Sequence, residues 1–243
     1  MIQKNDTTKD KEEERVLSQT EKSMMEAGVH LGHQTSKLHP RMNKFVVGIR
    51  NTVHIIDLEA TQARLEAALA FISQTVKNRG VVLLVGTKLP FQKMVQEISQ
   101  ACSMPYVVER WLGGTFTNFN VIKKRIDYFK ELKKQKESGA FEKYTKKEQA
   151  VKGKELADLE RKIGGLVTLE KIPEAVFICD LIKDKACFRE SRIKGVRVVA
   201  LVDTNVDPLI VDYPIPANDD AISSVKYMLE KVRDTIIEAK SSN

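Results

Sequence analysis

Three of the four histidines, His30, His33 and His39, fall within ten positions of one another in "GVHLGHQTSKLHPRM", residues 28–42. Imidazoles so close together fit a metal centre, a catalytic base or a phosphate-facing surface, and each of these needs different neighbours. Zinc takes about four ligands, usually with a thiolate or carboxylate among them. This stretch offers neither, and no HExxH-type motif occurs. Distant carboxylates such as Asp180 or Asp203 would have to complete such a site, and nothing in the spacing favours it. The expectation is therefore no metal, with the histidines serving as satisfied structural groups or as contacts to RNA.

A second candidate set lies where apolar runs end. Gly86, Thr87 and Lys88 follow one run, Asp180 another, and Asp203, Thr204, Asn205 and Asp207 a third. Ligands of open α/β sheets bind beyond the carboxyl ends of the strands. Lys88, Asp180 and Asp203 would thus suit a cytoplasmic enzyme holding Mg²⁺ and a phosphorylated small molecule. Against that, "VGTKLP" carries neither the G-x-G-x-x-G nor the Walker pattern, and Asp and Asn at loop starts are common turn formers.

The third set is "ERWLGGTFTNFNVIKKR", residues 109–125, with the only tryptophan of the chain. Its paired glycines permit close backbone approach or positive φ. Phe116 and Phe119 are interleaved with Arg110, Thr115, Thr117 and Asn118, a mixture able to stack on and hydrogen-bond unpaired nucleotides. The plainer reading is that Trp111 and Phe119 pack the root of an insertion and leave the polar residues to face a ligand.

Charge separates these readings. The net charge is +7, and residues 123–165 alone carry 14 Lys/Arg against 8 Asp/Glu. Between Glu26 and Asp57 there is no carboxylate, only Lys37, Arg41, Lys44, Arg50 and all four histidines. Two such zones on one chain point to a polyanionic partner.

The elements that must position these residues follow from apolar patterning. Continuous runs at 53–58, 81–87, 106–110, 175–181 and 196–204 read as strands buried on both faces of a parallel sheet. Between them, Leu65, Leu69, Ile72 and Val76 keep helical spacing, and helices are expected over 90–101, 183–194 and about 219–239, the last capped by Asn218 or Asp219. That alternation is a doubly wound α/β sheet. It breaks between Trp111 and Pro173, where the seams Ile122–Ile126–Phe129 and Leu156–Leu159–Ile163 flank a Ser138–Gly139 turn. Thr145 and Glu148 have capping-box spacing, so the insertion reads as an antiparallel helical hairpin.

No apolar run reaches the roughly 18 residues of a membrane span. Three cysteines without CxxC spacing fit buried, reduced thiols and a reducing compartment. Residues 1–18 mix Lys with Asp and Glu, lack the apolar stretch of a secretory signal, and read as a short disordered tail.

Several longer motifs then carry a resemblance. "AGVHLGHQTSKLHPRM", "VHIIDLEAT", "LLVGTK", "RWLGGTFTN", a Gly-Gly pair ahead of "IPEAVFICD", and "DTNVDP" followed by "IPANDDAI" stand in the order and spacing of the bacterial-type ribosomal protein S2 family, from about residue 19 to 238. The chain departs from that pattern at Leu38-His39, where an aromatic residue and Asn are expected before Pro. It also has a longer N-terminal tail.

The resemblance implies a flavodoxin-like α/β domain over 19–111 and 173–240 with a coiled-coil hairpin inserted at 112–172. It implies a structural, non-enzymatic part of the small ribosomal subunit without a cofactor. Such a protein sits in the cytoplasm against rRNA between head and body, and helps dock the large mRNA-binding protein of that subunit. Motif and charge together assign RNA contacts to Lys37, Arg41, Lys44, Arg50, Arg110, Thr115, Thr117, Asn118, Lys123, Lys124, Arg125, Lys133, Lys134, Lys146 and Lys147.

Overall fold

The structure, a computed structural model, describes residues 18–242. All of the expected tail except Ser18 lies outside them. Ser18 forms a capping box with Glu21 at the start of α1 (Gln19–Glu26). There follow β1 (Leu31–Gln34), β2 (Val46–Arg50), β3 (Val53–Ile56), α2 (Leu58–Lys77), β4 (Val82–Val85), α3 (Gln92–Ala101) and β5 (Tyr106–Val107). Then come α4 (Phe119–Glu137), α5 (Lys146–Ile163), β6 (Ala175–Ile178), α6 (Lys185–Lys194), β7 (Arg197–Val202), β8 (Tyr213–Pro216) and α7 (Ile222–Ser241).

Five strands form one sheet in the order β5-β4-β6-β7-β8, with every neighbouring pair parallel. Counted within the sheet this is 2-1-3-4-5, one of the two common doubly wound orders. The two-residue side-chain period of a strand splits each run between two cores. Val82, Leu84, Ala175, Phe177, Val199 and Leu201 point into one, with α2, α3 and α7. Leu83, Val85, Val176, Ile178, Val198 and Ala200 point into the other. Burial on both faces is why these runs lack polar alternation.

The second core is closed by α6, by Trp111 and Phe116, and by the buried stripes of α4 and α5. Those stripes include Ile122, Ile126, Phe129 and Leu132 on α4 and Leu156 and Ile163 on α5. Leu159, the middle residue of the second seam, is half-buried. The Thr145–Glu148 capping box opens α5 as its spacing predicts.

Two expectations fail. "VHIIDL" is no part of the parallel sheet: Val53–Ile56 pairs antiparallel with β1 and β2 in a separate three-stranded sheet. Its burial alternates, with His54 and Ile56 inside and Val53 and Ile55 half-exposed, so it is a one-sided strand whose outer face happens to be apolar. The first helical residue of α7 is also later than expected, with Ala221 at the cap position and no side-chain cap. Asn218 acts one turn earlier, where its Oδ1 accepts the N–H groups of Asp220 and Ala221.

Candidate nucleic-acid interface

The three clustered histidines part company in space. His39 sits at the start of a 3-10 turn, its Nδ1 accepting the N–H of Arg41 at 3.3 Å. His30 is half-buried and its Nδ1 has no partner. Burial, and then the charge of Arg50, lowers its pKa. His33 alone meets carboxylates, because its N–H donates to Thr204 Oγ1 at 2.9 Å and so anchors β1 against the end of β7. Its Nδ1 lies 3.1 Å from Asp203 Oδ2 and its Nε2 3.4 Å from Asp220 Oδ2. The hydrogen bond to Asp203 raises the pKa of His33 in spite of burial.

His33, Asp203 and Asp219 each offer a ligand atom, all within 4.8 Å of one another. That set is the size of a cation's coordination sphere, and it joins parts of the chain about which the local spacing of the histidines is silent. Asp219 pays for the crowding: burial, then the charges of Asp203, Asp180 and Asp220, push its pKa from an ordinary 3.8 up to about 8. Any cation held there would need Asp219 deprotonated, so its affinity would rise with pH.

For the protein without a cation, this has a consequence for stability. The folded state keeps a proton on Asp219 that the unfolded chain releases, so between about pH 4 and 8 this group lowers stability as pH rises. Asp219→Asn is expected to flatten that slope and to leave stability at pH 4 nearly unchanged. At pH 8 it should add more than the roughly 1.4 kcal/mol worth of one pKa unit. Thermal melts of both proteins across that range, in chelator, check it; parallel curves would refute it.

Lys88 and Asp180 do come together at the strand ends, 3.6 Å apart. Asp180 Oδ1 accepts the N–H groups of Ile182 and Lys183, as a turn former does. Lys88 is hydrogen-bonded by Asp220, and lies 5.4 Å from the centre of the Phe91 ring. Asp203 Oδ1 accepts the N–H of Thr204, and Oδ2 that of Asp219. These carboxylates shape turns, and Asp203 stands with His33 rather than with Lys88.

The 110–118 loop is organised by a residue far away in sequence. Glu190 on α6 is buried and accepts five hydrogen bonds: from the Trp111 indole at 3.0 Å, the N–H groups of Gly114, Phe116 and Thr117 at 2.8–3.0 Å, and the Thr117 hydroxyl at 3.1 Å. Burial alone would raise its pKa, but the bonds from Thr117, Phe116, Trp111 and Gly114 hold it below the usual carboxylate range. Gly114, at φ +92°, supplies the turn that aims these donors inward. Trp111 packs edge-on against Phe116, their centroids 4.9 Å apart, so the packing reading holds for the aromatic residues. Thr115 is buried with its hydroxyl on Leu112 O, and presents no hydroxyl to solvent. Arg110, Thr117 and Asn118 stand on the surface, although the Thr117 hydroxyl is committed to Glu190.

The basic residues singled out by charge are exposed. Lys37, Arg41, Lys44 and Arg50 line the segment around β1 and β2, and Lys123, Lys124, Arg125, Lys133, Lys134, Lys146 and Lys147 stud α4 and α5. Arg41 is paired with Asp207 at 2.6 Å, and Lys44 lies over the Phe45 ring. Of the 14 Lys/Arg between 123 and 165, only Lys133 and Arg161 form ion pairs among the described residues. Solvated helices usually balance their charge internally through i,i+4 pairs; here the cations are left over. All three cysteines are free and buried, and none of the described helices is long and apolar enough to cross a membrane.

A rigid α/β platform with a cationic pair of helices is the class of molecule these surfaces define. Comparison with known proteins narrows it. The family described as Ribosomal protein S2 matches residues 24–239, and the chain belongs to that family. It is 44% identical to a protein of Dehalococcoides mccartyi named "Small ribosomal subunit protein uS2", over 91% of this chain and 90% of that one. A protein of the same name from Coprothermobacter proteolyticus is 42% identical over 91% of this chain and 82% of its own length.

Proposed function

We propose that this protein is a structural constituent of the small ribosomal subunit in the cytoplasm, not an enzyme, and that it binds rRNA through its basic surfaces. The observation that carries the reading is the set of unpaired cations on α4 and α5, in a chain whose relatives are named as small-subunit ribosomal proteins. Lysines without acidic partners are free to replace the counterions of RNA phosphates, which favours binding without reading sequence. In this reading α4 and α5, within 112–172, form an antiparallel coiled-coil arm. The segments 19–111 and 173–240 form the flavodoxin-like platform. The acid-free stretch from Lys37 to Arg50 adds a second rRNA-facing surface.

The platform also serves as a dock for a neighbouring ribosomal protein that handles mRNA. In support, Val47 and Ile49 are 66% and 61% exposed on β2, an edge strand of the three-stranded sheet. Exposed apolar residues on an open edge are the kind of surface that a protein neighbour covers. The competing reading, a phosphate-handling enzyme at Lys88, Asp180 and Asp203, gains no support from carboxylates already engaged in turns.

Sucrose-gradient fractionation of native lysate tests the proposal. The chain is expected to co-migrate with small subunits at low salt and to be released at high salt. If it stays at the top of the gradient at low salt, the proposal fails.

A further inference from the structure

Between α3, the end of β5, the second half of α4 and the C-terminal part of α5 lies a cleft of about 840 Å³, away from the residues assigned to RNA except for Lys133. One wall is the face of α3 that carries Gln92, Gln96 and Gln100, four residues apart and therefore stacked on one side of the helix. Gln92 gives one donor to Thr87 O, whereas Gln96 and Gln100 are exposed and have no partner among the described residues. The opposite wall carries Lys130, Lys133, Arg161 and Lys162 beside Glu109 and Glu160. Glu109 pairs with Arg161 and Glu160 with Lys133, so Lys130 and Lys162 are its free cations among the described residues. The floor is fixed: a Cβ on Gly165 would lie 2.6 Å from the Tyr106 ring and closer still to the Tyr106 carbonyl oxygen, so α5 ends pressed directly onto the edge strand.

We infer that this cleft seats a short single-stranded segment of RNA, its phosphates on the Lys130–Lys133 wall and its bases or sugars against Gln96 and Gln100. The inference rests on the reading of the chain as an rRNA-binding protein. Two features favour RNA in a chain read as rRNA-binding. Lys130 has no acidic partner among the described residues and Lys133 only one at 4.0 Å, which leaves charge free for phosphate. Each glutamine amide both donates and accepts, as base edges and 2′-hydroxyls require. The volume is that of a small-ligand site, enough for a few unpaired nucleotides and too small for a duplex.

The test uses the full chain and fluorescent dodeca-uridylate, read by anisotropy at about 0.15 M salt, where the Debye length of about 8 Å confines charge effects to near neighbours. Gln96→Glu with Gln100→Glu is expected to weaken binding at least about tenfold. Ala67→Glu with Gln74→Glu adds the same charge on the exposed side of α2 and should stay within about twofold of the parent. Gln96→Ala with Gln100→Ala adds no charge and favours helix; it should weaken binding about threefold or more, and it decides the matter if the Glu pair disturbs folding. Equal weakening by the α3 and α2 Glu pairs, parental binding by the Ala pair, or no binding of the oligomer by the parent would each overturn the inference. The gradient experiment reads the ribosomal function separately, so a chain that co-migrates with subunits yet ignores the oligomer refutes the cleft alone.

Discussion

Glu190→Ala is expected to destabilise the protein by about 3–5 kcal/mol, since it strips one carboxylate from five donors, two of which, the Trp111 indole and the Phe116 N–H, are buried. The side chain is buried at the join between α6 and the 110–118 loop, and its two oxygens hold the Trp111 indole, three backbone N–H groups and a hydroxyl. Methyl substitution leaves the two buried donors unpaired, at about 1–3 kcal/mol each, whereas Gly114 and Thr117, nearer the surface, can turn to water. Gln is no rescue: it replaces one acceptor oxygen by an NH₂ that faces donors, so Glu190→Gln should fall between the parent and Ala. The sign of the pH effect is fixed by the depressed pKa of Glu190. Its contribution is fully present above the ordinary carboxylate pKa of 4.5 and is lost as pH falls from there through the lower folded-state value. Urea unfolding at pH 7 and pH 4, followed by the fluorescence of Trp111, the only tryptophan, reads both effects at the site itself. A loss below about 1 kcal/mol for the Ala variant, the cost of a single unpaired donor, would show that the loop holds its shape without Glu190.

That residue also marks where reading the sequence stops. β4, β6 and β7 were legible because a strand buried on both faces is a continuous apolar run, and α7 because its buried positions keep helical spacing. β8 was not, because "YPIP" carries two prolines that argue against a central strand; it is tolerated at the sheet edge, where it bonds only to β7. β1 and β2 are short, mostly exposed strands in a Gly- and base-rich stretch, where charge stood out and pattern did not. At the candidate interface, the exposed cations were visible by type and count alone. Glu190 and the His33–Asp203–Asp219 group were not, since each joins segments more than 70 residues apart. For Glu190 the one local signal was its place beside Ser191 and one turn after Cys187, on the buried face of α6, where an unpaired carboxylate would be costly and so implies a partner.

The second large effect belongs to the lysines of α4 and α5. Lys124, Lys134, Lys146 and Lys147 are exposed and without acidic partners among the described residues, so replacing all four by Glu removes no packing and breaks no ion pair. Surface changes of that kind usually shift stability by less than about 0.5 kcal/mol each, and at 146 and 147, in the first turn of α5, carboxylates suit the N-terminal end of the helix dipole. Binding should respond on another scale. Every phosphate left without its lysine reduces the slope of log affinity against log salt by about 0.7–0.9, and neutralising six to ten phosphates is worth about 10³–10⁵ in affinity between 50 and 200 mM salt. Removing four such cations and adding four repulsive charges should therefore weaken rRNA binding by about a hundredfold or more. In a gradient at physiological salt, the variant should shift from small subunits to the top while its melting curve stays put. A matched set of four Lys→Gln changes separates missing attraction from added repulsion: it should reduce the salt slope by about three to four while weakening binding less. Normal incorporation of the Glu variant, with an unchanged salt slope, would mean that these lysines only solubilise the helices, and the rRNA-facing surface would have to be sought in the acid-free stretch around β1 and β2.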